Sequence, residues 1–173
     1  VFTIDERSYS LEIKSSAGKY NYIGQSASEY PAARSLAEDA REINLPSDSV
    51  MEGINKTLFA ASNDELRPIM ISVCVDVTPE GLYFVATDAH KLVRYRRLDI
   101  KSETLASFIV PKKPINQLKN ALSGKADEMV AVEFNKTNAS FTMSGFQLVC
   151  RLIDGRYPNY EAVIPQSNPN KLT

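Results

Sequence analysis

Two stretches of the chain place apolar residues at the spacing of an amphipathic helix. They are Val50, Ile54 and Leu58 in the first stretch, and Ile115, Leu118 and Leu122 in the second. Each stretch follows an extended apolar run that ends in proline, at Pro46 and at Pro111. Proline suits a helix start because its missing N–H would have no partner there. We therefore predict two helices, with Ser47 or Asp48 capping the first and Gly124 ending the second.

Strand-like segments follow each predicted helix in sets of three. They cover about 70–77, 82–87 and 91–98 in the first half, and 128–134, 139–143 and 146–153 in the second. Turn residues such as Gly81 and Gly145 separate them. Residues 42–165 are therefore predicted to form a β-α-β-β-β unit twice, an α+β domain whose two helices share one side of antiparallel sheet.

A tandem repeat is also visible at the ends of the strand-like runs. The segment LIDGRYPNYEAVIP at 152–165 contains Tyr157-Pro158, and Tyr30-Pro31 repeats this pair after an earlier strand-like run. We therefore assign residues 1–31 to the last strands of a truncated preceding domain. Residues 32–41 are then a connector, 42–165 a complete domain, and 166–173 the start of a linker to a further domain that is missing.

Composition narrows the class of protein. The 173 residues carry a net charge of −1 with 43% hydrophobic residues, as in ordinary globular domains. No apolar run approaches the roughly 20 residues of a membrane span, and a start at Val1 without a leader suggests a fragment rather than a secreted protein. Near-neutral charge argues against tight, purely electrostatic binding of nucleic acid. Cys74 and Cys150 lie in apolar runs and are expected to be buried thiols, although a disulfide stays possible.

Several short motifs carry a resemblance to one known family. They are FAAS at 59–62 with DELRP at 64–68, ATDAHKL at 86–92, IVPKK at 109–113, and the segment 152–165. Their order and spacing resemble those of the bacterial replicative sliding clamp, the beta subunit of DNA polymerase III. The resemblance spans nearly all of 42–165, and residues 1–31 are similar to the end of the first domain of such clamps.

The resemblance implies a cytoplasmic protein without catalytic chemistry or cofactor. Clamp subunits have three similar domains, and two subunits close into a homodimeric ring around double-stranded DNA. Helices line the hole and sheets form the rim. The ring tethers polymerase subunits, the clamp loader and repair proteins, which bind through short linear motifs.

The resemblance also implies a peptide-binding site, which we call the candidate groove. Its wall would be formed by Arg67, Met70, Thr87, Ala89, His90, Leu92, Pro158, Ala162 and Val163. Aliphatic side chains would receive the anchors of the peptide, and polar groups would orient it. Three positions depart from the family pattern. Ala89 replaces a common glycine, so its turn must avoid positive φ or accept strain; Met70 replaces leucine; and Ala162 stands where a basic residue can occur.

The same resemblance places the two helices on the inner surface of the ring. Their faces opposite the apolar stripes carry Lys56 in the first helix and Lys112, Lys113 and Lys119 in the second. We expect these four lysines to face DNA. A solvated helix surface would carry similar charges, and Glu52 is not expected to take part.

Two other classes of function stay open at this point. Asp88 and the single histidine, His90, could belong to a hydrolase or transferase, but no nucleophile motif, metal-ligand set or phosphate loop accompanies them. We interpret Asp88 as a turn residue that bonds nearby backbone. Tyr157 and Tyr160 are expected to pack in the core and at the domain boundary rather than to contact a ligand. The other alternative is a protein–peptide interaction module without a role on DNA.

Overall fold

A computed structural model of the chain describes residues 1–30, 36, 39–165 and 167. The chain divides into two compact units, residues 1–34 and 35–173. Most of the predicted connector and linker, and Pro31 of the first Tyr-Pro pair, lie outside the described residues. The assignment of these segments therefore stays a prediction.

The first unit is a three-stranded antiparallel meander. Its strands are β1 (Phe2–Asp5), β2 (Ser10–Ser15) and β3 (Gly18–Ile23). Apolar and aromatic side chains of this sheet are largely exposed, including Phe2, Ile4 and Tyr22. Within the described residues of this unit, the sheet has no second layer that would bury its apolar face.

The second unit contains the predicted duplication. The first half comprises β4 (Arg41–Pro46), α1 (Ser47–Thr57), β5 (Ser72–Thr78), β6 (Gly81–Thr87) and β7 (Leu92–Arg97). The second half comprises β8 (Ala106–Pro111), α2 (Lys112–Leu122), β9 (Met129–Phe134), β10 (Asn138–Met143) and β11 (Phe146–Arg151). The α+β order and both helix positions are confirmed. Neither helix of the described residues is long and apolar enough to cross a membrane.

The strands form two four-stranded antiparallel sheets, a division that the sequence pattern did not specify. Sheet one has the order β7-β6-β5-β8, and sheet two has the order β11-β10-β9-β4. Each half therefore gives its leading strand to the sheet of the other half. The exchange is favourable because β4 alternates buried Ile43 and Leu45 with exposed residues, and these two lie opposite Val132 and Val130 of β9.

The helices and the inner faces of both sheets enclose one core. Ile54 of α1 and Ile115 of α2 are almost completely buried in it. Phe108 and Phe134 stack within the core with ring centroids 5.3 Å apart. Leu58, predicted to lie in the first helix, is buried just beyond it in a 3-10 turn, Leu58–Ala60.

The helix ends differ in part from the prediction. Pro46 occupies the N-cap position of α1, and no side chain caps it, so the assignment to Ser47 or Asp48 is wrong. The Ser47 hydroxyl instead donates to the carbonyl of Lys125, while Asp48 accepts from the Ser49 amide at 2.6 Å. Gly124 takes φ +80° directly after α2, which confirms it as the stop signal.

Candidate functional site

Sheet one has a second, smaller apolar cluster on the face opposite the helices. On β5, Val73 and Val75 point into the main core, whereas Cys74 belongs to this second cluster. The alternation follows from the two-residue period of a strand. The cluster consists of Cys74, Val85, Ile109 and Tyr157, and we call it the outer cluster. Ile69, Leu92, Ile153 and Tyr160 pack against it.

Three segments that carry the predicted groove residues meet at the outer cluster. They are the loop 64–71, the turn 87–92 and the segment 153–164. Leu92 contacts the cluster directly. A Cβ on Gly155 would lie 3.2 Å from Ile69 Cδ1, so the third segment passes close to the loop that carries Arg67 and Met70. The structure therefore brings separate motifs of the sequence to one end of sheet one.

The turn 87–92 is built from hydrogen bonds to side chains. The Thr87 hydroxyl donates to the Lys91 carbonyl at 2.7 Å and accepts from the Ala89 amide at 3.1 Å. Asp88 accepts from the amides of His90 and Lys91, as its interpretation as a turn residue requires. The Lys91 ammonium, with these amides, holds the pKa of the Asp88 carboxyl well below its ordinary value.

Ala89 adopts φ +76°, the left-handed conformation that glycine would take without cost. The turn therefore does not avoid a positive φ at Ala89 but accepts the backbone strain. The cost is about 1 kcal/mol for a non-glycine residue. The compensation comes from the Thr87 and Asp88 hydrogen bonds, which fix the turn around Ala89.

The predicted residues of this turn differ in what they present to solvent. Ala89 and His90 are exposed, and Leu92 is half-buried. Thr87 is only 7% exposed and its hydroxyl is occupied within the turn, so it shapes the groove rather than lining it. No cluster of His, Cys, Asp or Glu suited to a metal ion occurs among the described residues.

The segment 153–164 presents the other wall. Pro158 is exposed, and a 3-10 turn, Glu161–Val163, carries Ala162 and Val163. Val163 is 66% exposed although the neighbouring tyrosines are packed against the sheet. Tyr157 and Tyr160 therefore pack against apolar residues as predicted, while their place at a domain boundary stays a prediction.

The loop 64–71 supplies the remaining predicted residues. Its backbone is closed by the Met70 amide, which donates to the Arg67 carbonyl at 2.8 Å. Arg67 Nε lies 3.5 Å from Asp64 Oδ2 and stays exposed, while Met70 is half-buried. Leu66 is 91% exposed beside Arg67, a feature that the sequence did not single out.

A large concavity of the described residues lies beside these walls rather than between them. Its volume is about 560 Å³, and of the nine predicted groove residues only Pro158 lines it. Asp76 and Tyr160 also line it. Sequence reasoning missed Asp76, although a carboxylate between Val75 and Val77 of a buried strand is unusual enough to signal a specific role.

The four lysines of the helices fall into two groups. Lys56 pairs with Glu52 at 2.5 Å and lies 5.0 Å from the ring centroid of Tyr95. Tyr95 also donates its hydroxyl to Glu52 at 2.5 Å. Lys112 donates to Asn63 Oδ1 at 2.7 Å. Both side chains therefore have partners within the protein.

Lys113 and Lys119 form no ion pair or side-chain hydrogen bond with other described residues. The exposed surface of α2 adds Asn116, Gln117 and Asn120, and the helix has no acidic residue. A concavity of about 470 Å³ runs along this face, lined by Lys112, Lys113 and the three amide side chains. The helix itself contributes only cationic groups and neutral amides to this concavity, and Glu65 of the loop 64–71 adds one carboxylate to its lining.

Comparison with known proteins agrees with the resemblance of the motifs. Residues 44–159 match the family described as DNA polymerase III beta subunit, central domain. The beta sliding clamp of Bacillus subtilis is 30% identical over 168 residues, covering 96% of this chain and 44% of that protein. The beta sliding clamp of Synechococcus elongatus is 29% identical over 167 residues, covering 95% and 44%.

Solved structures give the same result for the fold. The crystal structure of the Bacillus subtilis sliding clamp superposes with a TM-score of 0.84 at 29% identity, covering 96% of this chain and 43% of that one. The Pseudomonas aeruginosa sliding clamp bound to griselimycin gives a TM-score of 0.85 at 23% identity, covering 97% and 45%. The chain thus spans less than half the length of the proteins it matches.

Proposed function

Because the chain belongs to the family of the DNA polymerase III beta subunit, with residues 44–159 matching its central domain, we propose that the complete protein is a sliding clamp. It encircles double-stranded DNA as a homodimeric ring and has no catalytic activity of its own. It tethers polymerase subunits, the clamp loader and repair proteins. The match to curated beta sliding clamps over 95% of the chain supports this proposal.

The candidate groove is the surface through which those partners bind. The observation that carries this assignment is the apolar side chain of Val163, which is 66% exposed three residues after Tyr160, where the segment 153–164 packs on the outer cluster. Exposed aliphatic groups rimmed by Arg67 and His90 suit a short peptide with aliphatic or aromatic anchors. Because Ala162 brings no charge, this part of the wall favours apolar over acidic peptide residues.

The face of α2 is the surface that lies toward DNA. A clamp needs weak and screened contacts, because encirclement itself keeps it on the duplex and tight contacts would slow sliding. Lys113 and Lys119 with neighbouring amides provide such contacts to phosphates. Lys56 and Lys112 contribute less, since each already has a partner within the protein.

The peptide site can be tested by titration of a labelled clamp-binding pentapeptide. We expect NMR shifts confined to Met70, His90, Leu92 and Val163, and a loss of binding in Val163→Asp. Leu98→Asp is the matched control, because Leu98 is 49% exposed just after the end of β7 that is remote from Leu92. The test is run on the complete protein and on this chain in parallel. Shifts elsewhere, or equal losses in both variants, would contradict the assignment.

A second candidate function is a peptide-binding module without a role on DNA. The net charge of −1 and the internal partners of Lys56 and Lys112 favour it. Polymerase processivity on primed DNA separates the two. Charge reversal at Lys113 and Lys119 in the complete protein should lower processivity at moderate salt, whereas Lys101→Glu, in the loop between β7 and β8, should not. Unchanged processivity would favour the module.

A further inference from the structure

Asp76 places a carboxylate on the outer face of sheet one, beneath the segment 153–164. It lies on β5 between two core valines and is half-buried. Its Oδ2 accepts a hydrogen bond from the Tyr160 hydroxyl at 2.9 Å, and its Oδ1 accepts from the Cys74 thiol at 3.6 Å. Both oxygens are therefore engaged, one by the strand itself and one by the segment above it.

Tyr160 stands at the N-cap of the 3-10 turn that carries Ala162 and Val163. Its carbonyl accepts from the Val163 amide at 3.3 Å, while its ring packs against the outer cluster. Burial and the neighbouring Asp76 carboxylate raise the pKa of the phenol, so it stays a hydrogen-bond donor at physiological pH. Fixing Tyr160 at both ends fixes the start of the turn.

A second contact ties the same turn to β7. Arg94 Nη1 lies 3.5 Å from Glu161 Oε1. The Glu161 side chain is 71% exposed, so water screens this pair and it contributes little by comparison. The Tyr160–Asp76 hydrogen bond is therefore the main polar link between the turn and the sheet.

We propose that Asp76 and Tyr160 are positioning residues for the candidate groove: their hydrogen bond holds the 3-10 turn Glu161–Val163 on sheet one, in the orientation in which Val163 meets the peptide. The inference rests on the proposed function, because it assigns a role within the peptide site. Neither residue needs to touch the peptide. They act by keeping the wall in its binding conformation before the peptide arrives, which reduces the ordering cost of association.

Peptide affinity in the complete protein tests the proposal. Tyr160→Phe removes only the hydroxyl and should weaken binding about three- to tenfold, the range expected for one lost hydrogen bond. Asp76→Ala should weaken it similarly, and the double variant no more than either single one. Asp76→Asn retains an oxygen acceptor and should keep most of the affinity. Tyr83→Phe is the control, because that hydroxyl has no hydrogen bond with the described residues.

A role in stability alone would give a different pattern. All variants are compared at a temperature where circular dichroism shows them folded, and the amide shift of Val163 reports on the turn. The positioning role would be overturned if Tyr160→Phe bound the peptide as tightly as the unchanged protein. It would also be overturned if the affinity losses of the two single variants added up in the double variant. Absence of peptide binding to the unchanged protein would instead overturn the proposed function, and the positioning role with it.

Discussion

Replacing Gly53 with alanine tests how closely α1 approaches sheet one. Gly53 is buried in α1, and a Cβ built there would lie 2.3 Å from Phe84 Cδ2 and 2.7 Å from Phe84 Cγ. Cβ atoms in proteins essentially never approach another heavy atom within 3.0 Å. Phe84 is 1% exposed, and the core cavity that it lines has a volume of only about 10 Å³, too little to receive a displaced ring. The helix or the strand would have to shift.

Two opposing effects set the size of the change. Alanine is favoured over glycine in a helix interior by about 1 kcal/mol. Overpacking a core with one extra carbon costs about 1–3 kcal/mol, and a contact this short with a buried ring belongs at the upper end. We therefore expect Gly53→Ala to lower the free energy of unfolding by about 1–2 kcal/mol, against the trend of helix propensity.

Urea unfolding followed by circular dichroism measures this difference. Asn55→Ala is the matched control, since Asn55 is exposed on the same helix and the change should stabilise by about 0.5 kcal/mol. In a Phe84→Leu background, Gly53→Ala should cost less because the ring that it meets is gone. A Gly53→Ala protein as stable as the unchanged one, or more stable, would refute the close approach as the reason for glycine.

Three further changes test the outer face of sheet one. Ala89→Gly should raise the free energy of unfolding by about 0.5–1 kcal/mol in urea titrations, because it removes the left-handed strain at φ +76°, and a decrease would contradict that strain. The Tyr157 hydroxyl is buried without a hydrogen-bond partner in the described residues, so Tyr157→Phe should leave the thermal midpoint unchanged or higher, and a clear drop would reveal a partner. The Lys91 ammonium and two amides lower the pKa of Asp88 in the folded protein. The ionised Asp88 carboxylate therefore contributes its full stabilisation above the ordinary pKa of 3.8, and this contribution is lost as the pH falls through the lower pKa of the folded state. Melting curves of Asp88→Asn should therefore lie below those of the unchanged protein at neutral pH and converge with them in acid, and a constant gap at every pH would exclude this titration.

The local pattern of the sequence was sufficient for the helices and for the repeat. Ile54 and Ile115 lie on apolar stripes whose helical spacing is visible within one or two turns, and both are buried in the structure. Strand exchange between the halves was not predictable in this way. The pairing of Ile43 with Val132 joins distant parts of the chain, and nothing near either residue encodes the partner.

In the candidate groove, too, the sequence indicated features that depend on neighbouring residues but not contacts between distant residues. Motif resemblance indicated the turn 87–92, but whether Thr87 points inward or outward depends on the bond to Lys91 that closes the turn. The link from Asp76 to Tyr160 spans 84 residues, so only the folded chain reveals it. A charged residue inside an apolar strand was the single local sign of this contact.

The two faces of sheet one have different roles: the inner face packs against the helices, and the outer face carries the candidate groove. Val75 on β5 packs in the core beneath the helices, and the next residue, Asp76, holds the segment that bears Val163. The alternation of a strand therefore places helix packing and groove positioning on opposite faces of one rigid layer. Changes at Gly53 act on the inner face and should lower stability without altering relative peptide affinity in the folded protein. Changes at Tyr160 act on the outer face and should lower peptide affinity even in molecules that stay folded, so peptide affinity in the folded protein separates the two faces by experiment.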